Sequence, residues 1–155
     1  MRIKLLIPFL SLFMVCGASA WPTMRAKIDR DGSGYVLLST NSGTSLLDDW
    51  FLEVGGGMSK TEPEAQTVIT RAGTLKNLFT TLTAPPGDGA TRTFMVRKNG
   101  ANTSLVVTFS GTTAIKGCDT TDSVPVLPYD LISVQNTSTG SPASSVGVVS
   151  FELLY

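Results

Sequence analysis

Acidic and hydroxyl side chains alternate in segment 29–34, which reads Asp-Arg-Asp-Gly-Ser-Gly. Oxygen ligands at positions one, three and five, with glycine at six, form the first half of a helix-loop-helix calcium loop. The second half departs from the pattern, because Thr40 stands where the bidentate Glu is required. Two interpretations follow: a weak calcium site made by Asp29, Asp31 and Ser33, or a β-turn with Asp and Gly at their preferred positions. The β-turn is favoured, and no other cofactor is predicted.

The sequence contains no histidine, which removes the commonest general base and the commonest metal ligand. Paired carboxylates could still catalyse glycoside hydrolysis, and the candidates are Asp48/Asp49 and Glu62/Glu64. Neighbouring residues on a strand point to opposite faces, and the two glutamates flank a proline in a polar segment. Solvated loop charges are therefore the favoured interpretation. We predict no catalytic residue, and a small hydrolase is a remote alternative.

Two Asn-x-Ser/Thr sequons make Asn102 and Asn136 candidate N-glycosylation sites. Each follows a predicted turn or strand end, so both side chains are expected to be exposed. Cys118 stands alone if Cys16 leaves with a cleaved leader, and no intramolecular disulfide then forms. We expect Cys118 to lie in a loop, partly buried, with an inter-subunit disulfide as the minor alternative.

Aromatic side chains are the remaining candidates for a binding surface, here one that stacks on sugars: Trp21, Trp50, Phe51, Tyr129 and Tyr155. In a small β domain such residues more often fill the core or a subunit interface. Trp50 and Phe51 are adjacent, so on a strand one faces inward and the other outward.

Residues 1–20 have the layout of a secretory signal peptide. A short basic start precedes an apolar run of about eleven residues and a small-x-small cleavage signal that ends at Ala20. We predict cleavage before Trp21, with a retained N-terminal anchor as the alternative. The location expected is secreted, on an extracellular surface or on a virion, with no membrane span after cleavage.

The charge and composition of the chain indicate a neutral all-β domain. The formal net charge is zero, and loss of Arg2 and Lys4 with the leader would make it −2. Neither value suits a nucleic-acid partner. Charged residues are 15% of the chain against a usual ~25%, and Thr, Ser, Gly and Val replace them. Thr and Val favour extended backbone, and the glycines and prolines supply turns.

Alternating apolar residues, separated by turn signals, predict short strands over one domain, 21–155. These strands cover 24–29, 35–38, 49–54, 67–70, 74–83, 91–98, 104–110, 124–127, 131–135 and 146–155. Segments 111–122 and 136–145 are predicted to be polar loops. The expected fold class is all-β: a two-sheet antiparallel jelly-roll sandwich after the N-terminal signal peptide.

The segments that follow Ala72 occur in an order that resembles a known family. They are 72–78, 86–89, 93–100, 103–109, 119–124, 130–134 and 150–153. This order is similar to that of the tumour-necrosis-factor-like jelly-roll domains of collagen-like spore-surface glycoproteins, and of uncharacterised phage and virus particle proteins. Two departures stand out: Tyr129 replaces the usual glycine before Asp130, and no collagen-like stalk is present.

The resemblance implies a structural or adhesive protein that forms trimers through the domain itself, and it carries over no catalytic residue. Our leading expectation is a non-enzymatic structural subunit of a virion, cell surface or extracellular fibre, with its own copies as partners. The alternative is a secreted carbohydrate-binding or adhesion module, with glycans as partners.

Overall fold

A computed structural model describes residues 26–28, 34–43, 45–46 and 49–155 of the chain. The predicted leader, residues 1–20, lies outside these residues. The predicted fold class is confirmed, because the described residues form two antiparallel sheets packed as a sandwich. Their strands are β1 (Ala26–Ile28), β2 (Gly34–Asn41), β3 (Trp50–Leu52), β4 (Met58–Ser59), β5 (Thr67–Val68), β6 (Gly73–Leu82), β7 (Gly87–Lys98), β8 (Ala101–Gly111), β9 (Lys116–Val126), β10 (Leu131–Thr139) and β11 (Gly147–Leu154).

The strand order within each sheet is that of a jelly roll. Sheet 1 runs β1-β2-β11-β6-β9, and sheet 2 runs β4-β3-β10-β7-β8, with β5 pairing the start of β10. The chain passes from one sheet to the other between β6 and β7, between β8 and β9, and at each of the next two connections. Consecutive strands thus face each other across the core, as two interlocked Greek keys require.

Alternate side chains of the long strands fill the space between the sheets. Val149, Phe151 and Leu153 of β11 are buried, as the alternation predicts. The inward-facing apolar residues of the neighbouring long strands are buried too: Leu105, Val107 and Phe109 of β8, and Phe94 and Val96 of β7. Phe94 and Phe109 meet edge to face at a centroid distance of 6.0 Å, a favoured aromatic geometry. This packing fixes which face of each strand remains outside.

Two segments predicted to be loops are strands. The edge strand of sheet 1, β9, begins at Lys116, inside the predicted 111–122 loop. Strand β10 continues to Thr139, inside the predicted 136–145 loop. On β9 only Val124 and Val126 are buried. An edge strand is held chiefly by its backbone ladder, so apolar alternation is a weak signal there.

Asp119 links the exposed edges of the two sheets, β9 of sheet 1 and β8 of sheet 2. Its carboxylate accepts hydrogen bonds from the N–H of Val106 on β8 (3.3 Å), and from the N–H groups of Thr121 and Asp122 (3.1 Å each). Burial alone would raise the pKa of Asp119, but the donors from Asp122, Val106 and Thr121 bring it below its usual value.

Gly73, at the start of β6, provides a test of how tightly sheet 1 is packed. A β-carbon built there would overlap the carbonyl oxygen and carbon of Leu154 on the neighbouring β11. Backbone atoms held in a ladder cannot move aside as a flexible side chain can. We therefore expect Gly73→Ala to lower the free energy of unfolding by about 2 kcal/mol or more, measured by urea denaturation. Thr74→Ala is the matched control, and an equal loss in the control would contradict the steric argument.

Candidate functional site

The predicted calcium ligands Asp29, Asp31 and Ser33 lie outside the described residues, and so do Trp21 and Asp48. Within the described ranges, no group of three or more Cys, Asp or Glu residues is arranged to hold a metal ion. Over the same ranges, the structure contains no helix that is long and apolar enough to cross a membrane.

The two sequons differ in accessibility. Asn102 is exposed at the start of β8, where its Oδ1 accepts a hydrogen bond from the Arg97 guanidinium. Asn136 has no exposed area and lies within β10. The expectation that Asn136 is exposed is therefore wrong, because β10 continues past its predicted end and turns this side chain inward. Asn102 alone of the two is an accessible candidate in the folded chain.

The expected surroundings of Cys118 and Glu62 are also corrected. Cys118 is exposed and lies on the edge strand β9, not partly buried in a loop. Glu62 belongs to a short 3-10 turn, Glu62–Ala65, and its side chain is only 12% exposed. It was expected to be a solvated charge, whereas Glu64 is exposed as expected.

Glu62 lies in a cluster on the outer face of sheet 2. Both of its oxygens accept hydrogen bonds from Arg97, at 2.8 and 3.0 Å, and Ser133 donates a third at 2.9 Å. The Arg97 hydrogen bond is the main cause that holds the pKa of Glu62 below its usual value, against the opposing effect of burial. Arg97 also lies 5.7 Å from the ring of Phe51, which faces outward as expected. These contacts anchor the 3-10 turn to the sheet, so the cluster is structural.

The turn between β9 and β10 is held by a second network, centred on the Asp130 carboxylate. Its Oδ2 accepts from the Leu127 N–H (2.8 Å) and pairs with the Lys98 ammonium (3.0 Å), and its Oδ1 accepts from the Asn99 amide (2.7 Å). Asn99 in turn accepts from the Leu131 N–H at 2.8 Å. The backbone donors, Asn99 and Lys98 lower the pKa of Asp130 to about 2. The carboxylate therefore stays ionised at any physiological pH.

Tyr129, inside this turn, has a backbone conformation that suits glycine. Its φ is +75°, in the left-handed region that is costly for a bulky side chain. Its N–H donates to the Ile69 carbonyl at 2.7 Å, and the Ile69 N–H donates to the Asp130 carbonyl at 2.8 Å. The turn thus holds a tyrosine in a backbone conformation that favours glycine.

The tyrosine ring gains no burial from this arrangement. Tyr129 is 86% exposed, Leu127 is 63% exposed and Val68 is 49% exposed. We call these three residues the end patch, because β5 and the β9–β10 turn are joined by the Ile69 hydrogen bonds at one end of the sandwich. A rigid, strained and exposed aromatic turn is the kind of feature that functional sites retain.

The opposite end of the sandwich contains an open groove of about 400 Å³. Its lining comes from the β2–β3 connection, the start of β7 and the β10–β11 connection: Ser45, Leu46, Arg92, Gly140, Ser141, Pro142 and Ser144. Leu46 and Arg92 are buried, and the Arg92 guanidinium donates to the Ala143 carbonyl at 3.2 Å. The Ser45 and Ser144 hydroxyls hydrogen-bond to each other at 2.6 Å. We call this the end groove.

The outer face of sheet 1 carries both apolar and polar side chains. Side chains that alternate with the buried ones project from β2, β6 and β11, and the half-buried apolar members of this set are Tyr35, Leu37, Phe79, Val148 and Leu154. Glu152 and Lys76 pair across the middle of the face, where Glu152 accepts a hydrogen bond from Asn77 at 2.6 Å. Cys118 pairs with Phe79 at its margin.

Sheet 2 has a hydroxyl-rich outer face by contrast. Thr91 and Thr139 hydrogen-bond across neighbouring strands at 2.7 Å, and Thr93 and Thr108 do so at 3.0 Å. Such rows interact well with water and with each other. The outer face of sheet 2 also carries half-buried apolar side chains, Phe51, Met95, Val106 and Leu131. Apolar side chains therefore occur on both outer faces.

Of the four candidate aromatics that the structure describes, only Tyr129 belongs to the end patch. Tyr155 is half-buried and stacks against the Arg71 guanidinium at 4.0 Å, and Trp50 lies on the same side of β3 as the buried Leu52. Sequence reasoning missed the end patch and the Lys98–Asn99–Asp130 network. The turn signals at Asn99-Gly100 and at 128–130 were visible, but their meeting depends on the pairing of β7 with β10.

No protein-family model matches this chain. No curated protein is significantly similar to it in sequence.

The strain at Tyr129 predicts an unusual order of stabilities among variants. Glycine is unstrained at positive φ, whereas alanine retains the clash, so Tyr129→Gly should be more stable than Tyr129→Ala by about 1 kcal/mol. At Leu127, where φ is not positive, Gly should be less stable than Ala by about 0.5–1 kcal/mol. Urea denaturation of the four variants measures both differences. If the difference in unfolding free energy between the Gly and the Ala variant had the same sign at both positions, the strained backbone at Tyr129 would be contradicted.

The Asp130 network predicts a pH dependence. The pKa of this carboxyl is lowered from 3.8 to about 2 on folding, so its stabilising effect is present above about pH 4 and is lost as the pH falls toward 2. Asp130→Asn should lower the thermal midpoint at pH 7 and flatten its fall between pH 4 and pH 2. Asp88→Asn, at an exposed position, should leave the profile unchanged. If the thermal midpoint of Asp130→Asn fell as far between pH 4 and pH 2 as that of the unchanged protein, Asp130 would not be the group responsible.

Proposed function

We propose that this protein is a non-enzymatic structural subunit of a surface assembly, and that copies associate through the outer face of sheet 1. The observation that carries the proposal is the set of five large apolar side chains on that face, Tyr35, Leu37, Phe79, Val148 and Leu154. These side chains are half-buried in the single chain, and contact with a partner would bury the rest of their apolar surface. We name a second copy of this chain as the occupant.

A closed trimer is the symmetry we propose, in line with the tumour-necrosis-factor-like resemblance and with the jelly-roll strand order. Cys118 is exposed on β9, where a disulfide to another subunit is sterically accessible. The secretory leader expected at residues 1–20 supports an extracellular, cell-surface or virion location for the assembly.

Carbohydrate binding is the second candidate function, and the 86% exposure of Tyr129 is the observation in its favour. A sugar site also needs polar groups that are available to hydroxyls. Around Tyr129 the Asp130 carboxylate, the Asn99 amide and the turn N–H groups already hydrogen-bond within the turn. Self-assembly is therefore the function we favour.

The test is the mass of the purified protein by light scattering on a sizing column. We expect a mass three times that of the chain for the unchanged protein. The double variant Leu37→Lys/Phe79→Lys should be a monomer, because lysines on the apolar face would bring like charges together and leave apolar area unburied.

Thr108→Lys, at an exposed position on the outer face of sheet 2, is the matched control and should leave the mass unchanged. Circular dichroism should show the same strand signal in all three proteins. A monomeric unchanged protein at millimolar concentration would overturn the proposal, as would a double variant that still formed the trimer.

A further inference from the structure

The Asn99-Gly100 pair forms the turn between β7 and β8, and both residues are exposed. Their φ angles are +52° and +79°, as in the type I′ turn that Asn-Gly favours in two-residue hairpins. Asparagine followed by glycine is also prone to lose its side-chain ammonia, because glycine has no β-carbon to shield its nitrogen from the neighbouring amide. The sequence that suits this turn therefore also carries a chemical liability.

The modification needs no reactant other than water. The Gly100 nitrogen attacks the side-chain Cγ of Asn99, and the new C–N bond closes a five-membered imide. The side-chain nitrogen leaves as ammonia, with the proton that the Gly100 nitrogen loses. Water then cleaves the imide at either of its two carbonyl carbons. The product is aspartate, or isoaspartate in which the main chain runs through the former side chain.

The backbone of the folded turn keeps the reacting atoms apart. Asn99 lies in the left-handed region, where ψ is about +30° to +60°. Such a ψ places the Gly100 nitrogen and the Asn99 β-carbon on nearly opposite sides of the Cα–C bond. Closing the imide requires both atoms on the same side, so the turn must first leave its left-handed conformation.

Three hydrogen bonds oppose this rearrangement by joining Asn99 to the start of β10. The Asn99 N–H donates to the Leu131 carbonyl at 2.8 Å, the Leu131 N–H donates to Asn99 Oδ1 at 2.8 Å, and Asn99 Nδ2 donates to Asp130 Oδ1 at 2.7 Å. Lys98 pairs with the other Asp130 oxygen at 3.0 Å and holds the carboxylate in place. Breaking these bonds is a local opening that does not require the whole domain to unfold.

We propose that Asn99 is a guarded deamidation site: the Asp130 network preserves it in the folded chain, and opening of the turn leads to its conversion. The conversion is one-way, because the new carboxylate cannot donate the hydrogen bond that Asn99 Nδ2 gives to Asp130. Two carboxylates would instead face each other across that 2.7 Å contact, where like charges repel. A copy whose turn has opened therefore does not regain the network. The inference does not depend on the contact through sheet 1.

Peptide mapping by tandem mass spectrometry measures the conversion directly, because deamidation changes the mass of residue 99. The folded, unchanged protein in mildly alkaline buffer should convert Asn99 about tenfold or more slowly than the same chain unfolded in urea. Folded Asp130→Ala should convert it about tenfold faster than the folded unchanged protein, because it lacks the hydrogen bond to a charged group. Circular dichroism verifies that each variant is folded.

Two control variants separate the Asp130 bond from a general loss of charge or of stability. Asp88→Ala removes an exposed carboxylate elsewhere and should leave the rate at Asn99 unchanged. Phe151→Leu weakens the core without altering the turn, and should also leave the rate unchanged while the chain stays folded. Asn102 is exposed on the same hairpin but is followed by threonine, so it serves as the internal reference in every digest.

A swap of donor and acceptor tests why the conversion is one-way. Asn99→Asp reproduces the aspartate product and should lower the thermal midpoint at neutral pH. Asn99→Asp combined with Asp130→Asn restores one donor facing one acceptor, and should recover most of that loss. Asn102→Asp adds the same charge beside the Arg97 guanidinium and should not lower the midpoint.

Equal rates at Asn99 in the folded and the unfolded chain would overturn the guarded site, as would an Asp130→Ala protein that converts no faster than the unchanged one. Acceleration by Phe151→Leu as large as that by Asp130→Ala would overturn it too, because unfolding of the whole domain would then be the route. A thermal midpoint that Asn99→Asp leaves unchanged would overturn the one-way step.

Discussion

The architecture depends on one constraint: each strand of a two-layer sandwich can give only one of its faces to the core. In β11 the inward set is Val149, Phe151 and Leu153, and the outward set necessarily includes Val148 and Leu154. Val148 and Leu154 are half-buried in the single chain, and the apolar surface that they leave outside is available to a partner. The same constraint leaves threonine hydroxyls outside on sheet 2, where they hydrogen-bond to one another. The apolar side chains left on the outer face of sheet 1 are the basis of the proposed assembly.

Alternation was sufficient to predict the centre of the fold. It identified the inward residues of β7, β8 and β11, and turn residues marked most of their ends. It failed on β9 and on the second half of β10, for two different reasons. Strand β9 is a polar edge strand held by backbone hydrogen bonds, so its sequence shows little apolar alternation. On β10 the polar Asn136 lies inside, so the apolar pattern stops before the strand does.

The candidate sites were less predictable than the fold, because they depend on register. Asp130 meets Lys98 and Asn99 because β10 pairs with β7 so that Ile132 lies opposite Lys98, and no local pattern encodes that pairing. Glu62 was assigned to solvent for the same reason, since Arg97 lies on another element. Tyr129 lies in the predicted turn at 128–130, yet its exposure and backbone strain required the structure.

The Asp119 carboxylate between β8 and β9 affects how readily the protein aggregates through this strand edge. An open strand edge is a template for uncontrolled growth of cross-β aggregates, since any extended chain can add to it. Here a negatively charged group occupies the Val106 N–H at that edge, and its lowered pKa keeps the charge in place in mildly acidic surroundings. Growth by backbone pairing is thereby disfavoured at this edge. Even in concentrated solution, edge-to-edge pairing of this strand is therefore disfavoured.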